Sequence, residues 1–231
     1  MIRQLMRLRR RQVLVDVDTQ QDFLIFEGKM CIRNHRRILA HIRRVMAWAR
    51  HRQVPVISIS QINPNNNGGS ELDYCLEGTP GQKKISYTLL NKRVSFDADN
   101  NTDLPADILR RHRQIIFNKR ATDPFSEPRI ERLLSEIRAD EFILIGAGAE
   151  DAVKATALGL LQRGKNVTVI IDAVGFLDSN EARLSFRKME AKGAKLIETK
   201  KFAGTSGLKQ AGICHCNSCR EILKQNAVHA Y

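Results

Sequence analysis

Short continuous apolar runs alternate along this chain with longer stretches whose apolar residues return at helical spacing. QVLVDVD at 12–18 is a β-branched run suited to a buried strand. Over 34–52, Ile38, Leu39, Ile42, Val45, Met46 and Ala49 then form one helical stripe. A second strand is predicted over 55–61, ending near Ser60. The alternation resumes with strands at 114–118, 141–146, 166–172 and 194–199, and helices at 126–139, 150–163 and 180–193. Ser126 is the predicted N-cap of the first of these helices, and Gly164 and Gly193 stop the other two. PADILRRH (105–112) reads as a short helix with Pro105 near its start, while 85–98 fits neither period. This order predicts an α/β fold, a three-layer α-β-α sandwich around a mostly parallel, roughly six-stranded doubly wound sheet. The Asn-, Gly- and Pro-rich stretch 61–84 reads as a loop long enough to be an active-site or interface segment. The main domain is expected over 1–200, with a Cys-rich extension over 201–231.

Doubly wound sheets bind ligands beyond the carboxyl ends of their strands, so the chemistry is sought there. The first strand ends at Asp18 in VDVDTQQDF, the strand at 114–118 leads to Lys119 in NKRATDPF, and that at 141–146 leads to GAGAEDA. An Asp, a Lys and a thiol converging there would form a working set. The carboxylate accepts the thiol proton, the ammonium lowers both pKa values, and a helix N-terminus steadies the anion. In this chain the glycine-rich turn leads into Asp151 and Ala152, and alanine supplies no nucleophile.

DTQQDF (18–23) resembles the Asp-x-Gln-x-Asp-Phe motif of the isochorismatase-like superfamily, the cysteine hydrolases. That superfamily includes nicotinamidases, carbamoylsarcosine amidohydrolases and isochorismatases. NKRATDPF resembles its lysine segment. YCLEGTPG (74–81) resembles its His-Cys-x-x-Gly-Thr-x-Gly loop, with Tyr74 in place of His, and GAGAEDAVKATALGLLQRGKNVTVIIDAVG resembles its nucleophile segment. The resemblance covers residues 12–200. It implies that Asp18 is the general base, Lys119 the supporting cation, and Ala152 the vacated position of the nucleophilic cysteine. It also implies an oxyanion site at the amides of Ala152 and its upstream neighbours, a cis peptide at Ala147–Gly148, and assembly as a homo-oligomer. Candidate substrate-lining positions are Gln20, Phe23, Phe125, Ala147, Gly148 and Asp151. Gln20 and Phe23 fit packing and turn roles better, Phe125 fits a core role, and Asp151 fits an ordinary first-turn acid.

Two departures from the family pattern matter. Its metal-binding members carry Asp-x-His after the second strand, and SQINPNNN has neither residue, so no cofactor is expected at the hydrolase site. Asp16 stands where the family has an apolar residue, on the same strand face as Asp18 by alternation. Either one of these carboxylates has a raised pKa or a cation pairs with Asp16. Cys31 and Cys75 read as structural, and Ser179 and Thr156 lack a neighbouring base in the sequence.

The formal charge of +13 widens the range of partners. It favours polyanions, with strong salt dependence. Much of it lies in RLRRR (7–11) and in the 34–52 helix, where Arg36, Arg37, Arg43, Arg44 and Arg50 fall mainly outside the apolar stripe. That face reads as solvated surface or as a site for nucleic acid or an acidic partner, although one Trp and three Tyr leave little for base stacking. In the tail, Cys214, Cys216, Cys219 and His229 have spacing that could hold zinc, against free thiols or an oxidative disulfide. No apolar run reaches the about 20 residues of a membrane span, and the basic N-terminus lacks a signal peptide's apolar stretch, so a cytoplasmic protein is expected. Three functions stay open. The first is a catalytically degenerate domain that binds a small amide, carboxylate or enol-ether ligand or serves as a scaffold. The second is an active hydrolase of C–N or vinyl-ether bonds, with its cysteine exchanged for Ala152 or working without a covalent intermediate. The third is a polyanion-binding module.

Overall fold

The computed structural model describes residues 10–65 and 72–204. Its centre is β1 (Arg10–Val17), which pairs in parallel with β2 (Val56–Gln61) on one side and β5 (Ala139–Gly146) on the other. Outward from β2 lie β4 (Gln114–Lys119) and β3 (Arg93–Phe96); outward from β5 lie β6 (Val167–Val174) and β7 (Lys195–Ile197). All pairings are parallel, and the sheet has seven strands in the order β3-β4-β2-β1-β5-β6-β7. The strand beyond the six expected is β3, from the stretch that fits neither period. It is four residues long and alternates exposed with half-buried positions, as an edge strand does. Phe96 anchors it by stacking on Phe117 at 5.4 Å.

The helices are α1 (Gln21–Leu24), α2 (His35–His51), α3 (Ile108–Arg111), α4 (Pro128–Glu136), α5 (Ala152–Gln162), α6 (Ser179–Ala191) and α7 (Thr199–Ala203). Alternation along β1 feeds both layers. Val13, Val15 and Val17 join Leu133, Leu160 and the rest of the α4–α5 side, while Leu14 joins Ile38, Ile42 and Met46 of α2. A sheet covered on both faces needs continuous apolar strands, which is why the runs were legible.

Two local expectations change. Ser126 is not a helix N-cap. It closes a 3-10 turn (Pro124–Ser126) in which the Asp123 carboxylate accepts the Phe125 amide at 3.0 Å, and α4 begins only at Pro128, a residue pre-shaped for a first helical turn. The Ala147–Gly148 bond is trans, and no cis peptide occurs among the described residues. The turn is made by Gly146 (φ 144°) and Gly148 (φ 80°). A Cβ on Gly146 would lie 1.9 Å from the Val17 carbonyl oxygen, so only glycine lets β5 close onto the end of β1.

Candidate active site

At the end of β1 the backbone leaves the extended region, and Asp18 takes φ 50°. Aspartate tolerates this left-handed conformation better than most residues. Its amide still bonds to the Ile59 carbonyl of β2 at 2.8 Å. The Asp18 carboxylate meets Lys119 from the end of β4, with Nζ 3.1 Å from Oδ2. One strand, β2, separates their parent strands. Gln61 ends that strand and closes the gap: its Oε1 accepts from Lys119 Nζ at 2.6 Å. Gln61 is held in turn. Its Nε2 donates to Asn63 Oδ1 and to the Arg120 carbonyl, both at 2.9 Å. Gln20 grips its backbone, donating from Nε2 to the Gln61 carbonyl at 2.7 Å and accepting the Gln61 amide at 2.8 Å.

Lys119 is 1% exposed and Asp18 is 4% exposed. Burial pushes the Asp18 carboxyl above its ordinary range, while Lys119 and, more weakly, Lys84 pull it down. Its second oxygen, Oδ1, is buried and has no hydrogen-bond partner among the described residues. A carboxylate in this condition can accept a proton from a hydroxyl, a water or an amide at the site.

The third strand end brings the helix tip. The Ala147 amide bonds to the Val17 carbonyl at 2.9 Å, which ties this turn to Asp18. The amides of Asp151 and Val153 both bond to the Gly148 carbonyl, at 3.1 and 3.0 Å. Between them, the Ala152 amide makes no hydrogen bond among the described residues. It stands at the N-terminus of an 11-residue helix, where a free N–H suits a developing negative charge. The Ala152 side chain itself is a buried methyl. Thr156 does not replace a nucleophile: its hydroxyl donates back to the Ala152 carbonyl at 2.7 Å.

The loop after β2 supplies a wall. The Asp22 carboxylate pins it, taking the Cys75 amide on Oδ2 at 2.6 Å and the Lys29 amide on Oδ1 at 3.1 Å. Tyr74 then packs edge-on against Phe23, with ring centroids 5.6 Å apart. Burial raises the Tyr74 phenol, and the charges of Asp18 and Asp151 add to the effect. Tyr74 stands at the position where the resembling loop carries His. Cys75 is fully buried, and burial together with Asp18 and Asp22 pushes its thiol upward against the pull of Lys119. It stays protonated and is a poor nucleophile.

Asp16 has its own cation. Lys84 Nζ lies 2.9 Å from Asp16 Oδ2 and donates to Thr19 Oγ1 at 2.7 Å. Ser58 Oγ donates to the same Asp16 oxygen at 2.9 Å, and Gln114 Nε2 donates to Ser58 Oγ at 2.8 Å.

The structure thus brings Asp18, Lys119, Ala147, Gly148 and Ala152 to the carboxyl end of the sheet. Asp151 is exposed at the N-cap position of α5 and makes no side-chain cap bond. Gln20 is fully buried, with its amide engaged by Gln61 and Gln82, so it builds the site's frame rather than its lining. Phe125 lies elsewhere: its ring packs on Gly159 and under Arg163, about two helical turns from Ala152. Sequence reasoning missed Gln61, Lys84 and Asp22. Gln61 carried a weak signal, as a polar residue closing an apolar strand, and Lys84 carried none. Of the basic residues on α2, Arg43 lies over the Tyr87 ring at 4.6 Å, Arg44 donates to the Gly204 carbonyl at 2.5 Å, and Arg50 donates to the Tyr87 carbonyl. Arg36 and Arg37 remain solvated.

Among the described residues no group of His, Cys, Asp and Glu is arranged to hold a metal. The tail residues Cys214, Cys216, Cys219 and His229 lie outside the described residues. No helix among those described is long and apolar enough to cross a membrane.

The isochorismatase domain profile matches residues 12–201. No curated protein sequence matches the chain. Among solved structures, the MAR1 ribonuclease of Caenorhabditis elegans is 21% identical, covers 98% of this chain and 95% of its own, and superposes with a TM-score of 0.58. The pyrazinamidase of Pyrococcus horikoshii in complex with zinc is 20% identical, with coverage of 81% and 99% and a TM-score of 0.63. N-carbamoylsarcosine amidase from Thermoplasma acidophilum is 19% identical, with coverage of 85% and 99% and a TM-score of 0.62. At these identities the likeness is one of fold.

Proposed function

The chain belongs to the isochorismatase family, and on that premise we propose that it binds a small polar ligand at the Asp18–Lys119 pair without forming a covalent intermediate. The observation that carries this reading is the buried methyl of Ala152 beneath an intact carboxylate, ammonium and free helix amide. Lys119 would hold a carboxylate or carbonyl oxygen, the Ala152 amide would orient it, and Asp18 Oδ1 would accept a hydrogen bond. An amide, a carboxylate or an enol ether meets these demands. Alanine at 152 and a Cys75 thiol pushed upward by burial both support a reading without thiol-based hydrolysis. The test compares the chain with an Ala152→Cys variant on amides, nicotinamide and isochorismate, using intact-mass spectrometry. Acyl adducts are expected only on the variant. An adduct on the unaltered chain would overturn the reading.

A second reading rests on the unpartnered Asp18 Oδ1 and on the near-complete coverage of this chain by a protein named a ribonuclease. RNA brings its own nucleophile. Its 2′ hydroxyl would give its proton to Asp18 and attack the adjacent phosphorus. The P–O5′ bond would break, the leaving oxygen would take a proton from solvent, and a 2′,3′-cyclic phosphate would result. Lys119 would offset the charge that builds on the phosphoryl oxygens. Cyclic-phosphate ends that vanish with Asp18→Asn, or with a 2′-deoxy residue at the cut, are expected. Products with 5′-phosphate ends would exclude it.

A further inference from the structure

We propose that a basic cleft at the opposite end of the sheet from Asp18 binds single-stranded nucleic acid. Phosphates would lie on Arg11, Arg52, Lys195 and Lys201, and a base would stack at the Trp48–Phe202 pair. The cleft encloses about 580 Å³ and forms where β1, β5 and β7 enter the sheet, beside the last turn of α2 and beside α7. Asp18 lies seven residue steps beyond Arg11, which is about 23 Å of extended strand. The cleft is therefore a separate place, and the proposal stands whether or not Asp18 does chemistry.

Charge is the first argument. Arg11, Arg52, Lys195 and Lys201 are all exposed, and none forms an ion pair among the described residues. The arginines on the flank of α2 are different, because Arg43, Arg44 and Arg50 are already held by a ring or by carbonyls. Glu141 is the carboxylate in the lining, and its two oxygens accept from Gln12 Nε2 at 2.7 Å and Thr168 Oγ1 at 2.5 Å. It is engaged within the protein and does not neutralise the cluster.

The second argument is the aromatic pair. Trp48 and Phe202 are half-buried with ring centroids 4.4 Å apart, and both line the cleft. Cations around a stacking platform are the pattern by which proteins hold unpaired strands: the groove follows the backbone while the rings take a base. An acidic peptide would use the cations alone and leave the rings idle. A duplex hides the faces of its bases.

Trp48 is the chain's only tryptophan, so its fluorescence reports on this cleft alone. The experiment titrates the full chain with a 12-nucleotide oligouridine, the matching duplex, polyglutamate and anionic vesicles. The oligouridine is expected to quench Trp48. With four phosphate contacts, affinity should fall about 50-fold between 50 and 200 mM salt. Arg52→Glu and Lys201→Glu, exposed and checked for folding by circular dichroism, should each weaken binding and flatten the salt slope. The proposal fails if quenching is absent, if quenching survives both charge reversals, or if polyglutamate, duplex or vesicles bind as tightly as the oligouridine.

Discussion

The two ends of the sheet use the same residue types in opposite ways. At the carboxyl end, Lys119 and Lys84 are buried, and each is spent on a carboxylate from β1 or its end. At the amino end, Arg11, Arg52, Lys195 and Lys201 are exposed and form no ion pair among the described residues. Burial decides the difference. A buried ammonium must have a partner or lose its proton, so its influence is local, strong and little screened. An exposed cation keeps its hydration, contributes little to stability, and acts on polyanions at a distance that salt controls.

The sharpest way to break this comparison is to remove a buried cation. Lys119→Met and Lys84→Met each leave a buried carboxylate without its partner. Each should lower unfolding free energy by about 3–5 kcal/mol in urea titrations. Lys84→Met should lose at least as much, because Asp16 is 0% exposed and cannot relax toward solvent as Asp18 can. A loss below about 1 kcal/mol in either would refute the view that these are true buried pairs.

A smaller effect follows from Asp18 itself. Its folded pKa lies above the ordinary 3.8, so the folded state binds the proton more tightly than the unfolded state does. Stability therefore falls as pH rises from about 3.8 toward the raised folded value, and is level on either side. Measured against Asp18→Asn, the wild-type curve should show this decline. A rise with pH over that interval would mean that Lys119 outweighs burial.

Next comes Gly81→Ala. A Cβ there would sit 2.1 Å from the Asp22 carboxylate that pins the Tyr74–Cys75 loop. The change should cost about 1–3 kcal/mol and speed proteolysis within 72–83. The smallest effect belongs to the amino end: Arg52→Glu and Lys201→Glu should change stability by less than about 0.5 kcal/mol. A larger change would show that these cations serve the fold rather than a ligand.

The frame of the site was legible because it is local. Asp18 and Lys119 sit where apolar strands stop, and Ala152 follows a glycine-rich turn into a helix. Each can be placed by counting along one segment. Lys84 could not be placed this way, since it reaches Asp16 from a loop 68 residues away, where two adjacent lysines look like solvated charge. Phe125 follows Lys119 closely in sequence, yet its ring packs on the core, where the missing side chain of Gly159 leaves room for it against α5. Likewise α2 announced a basic face, although most of its arginines fold back onto Tyr87 and Gly204.

By itself the sequence determined the strand–helix order, the apolar runs of a sheet covered on both faces, and the absence of sulfur at position 152, because each is written in the period or identity of neighbouring residues. Only the tertiary structure decided which lysine meets which aspartate, which arginines are held by a ring or a carbonyl, and that Trp48 and Phe202 share a cleft. Those facts depend on desolvation and on contacts between segments far apart in the chain, and residue spacing carries neither.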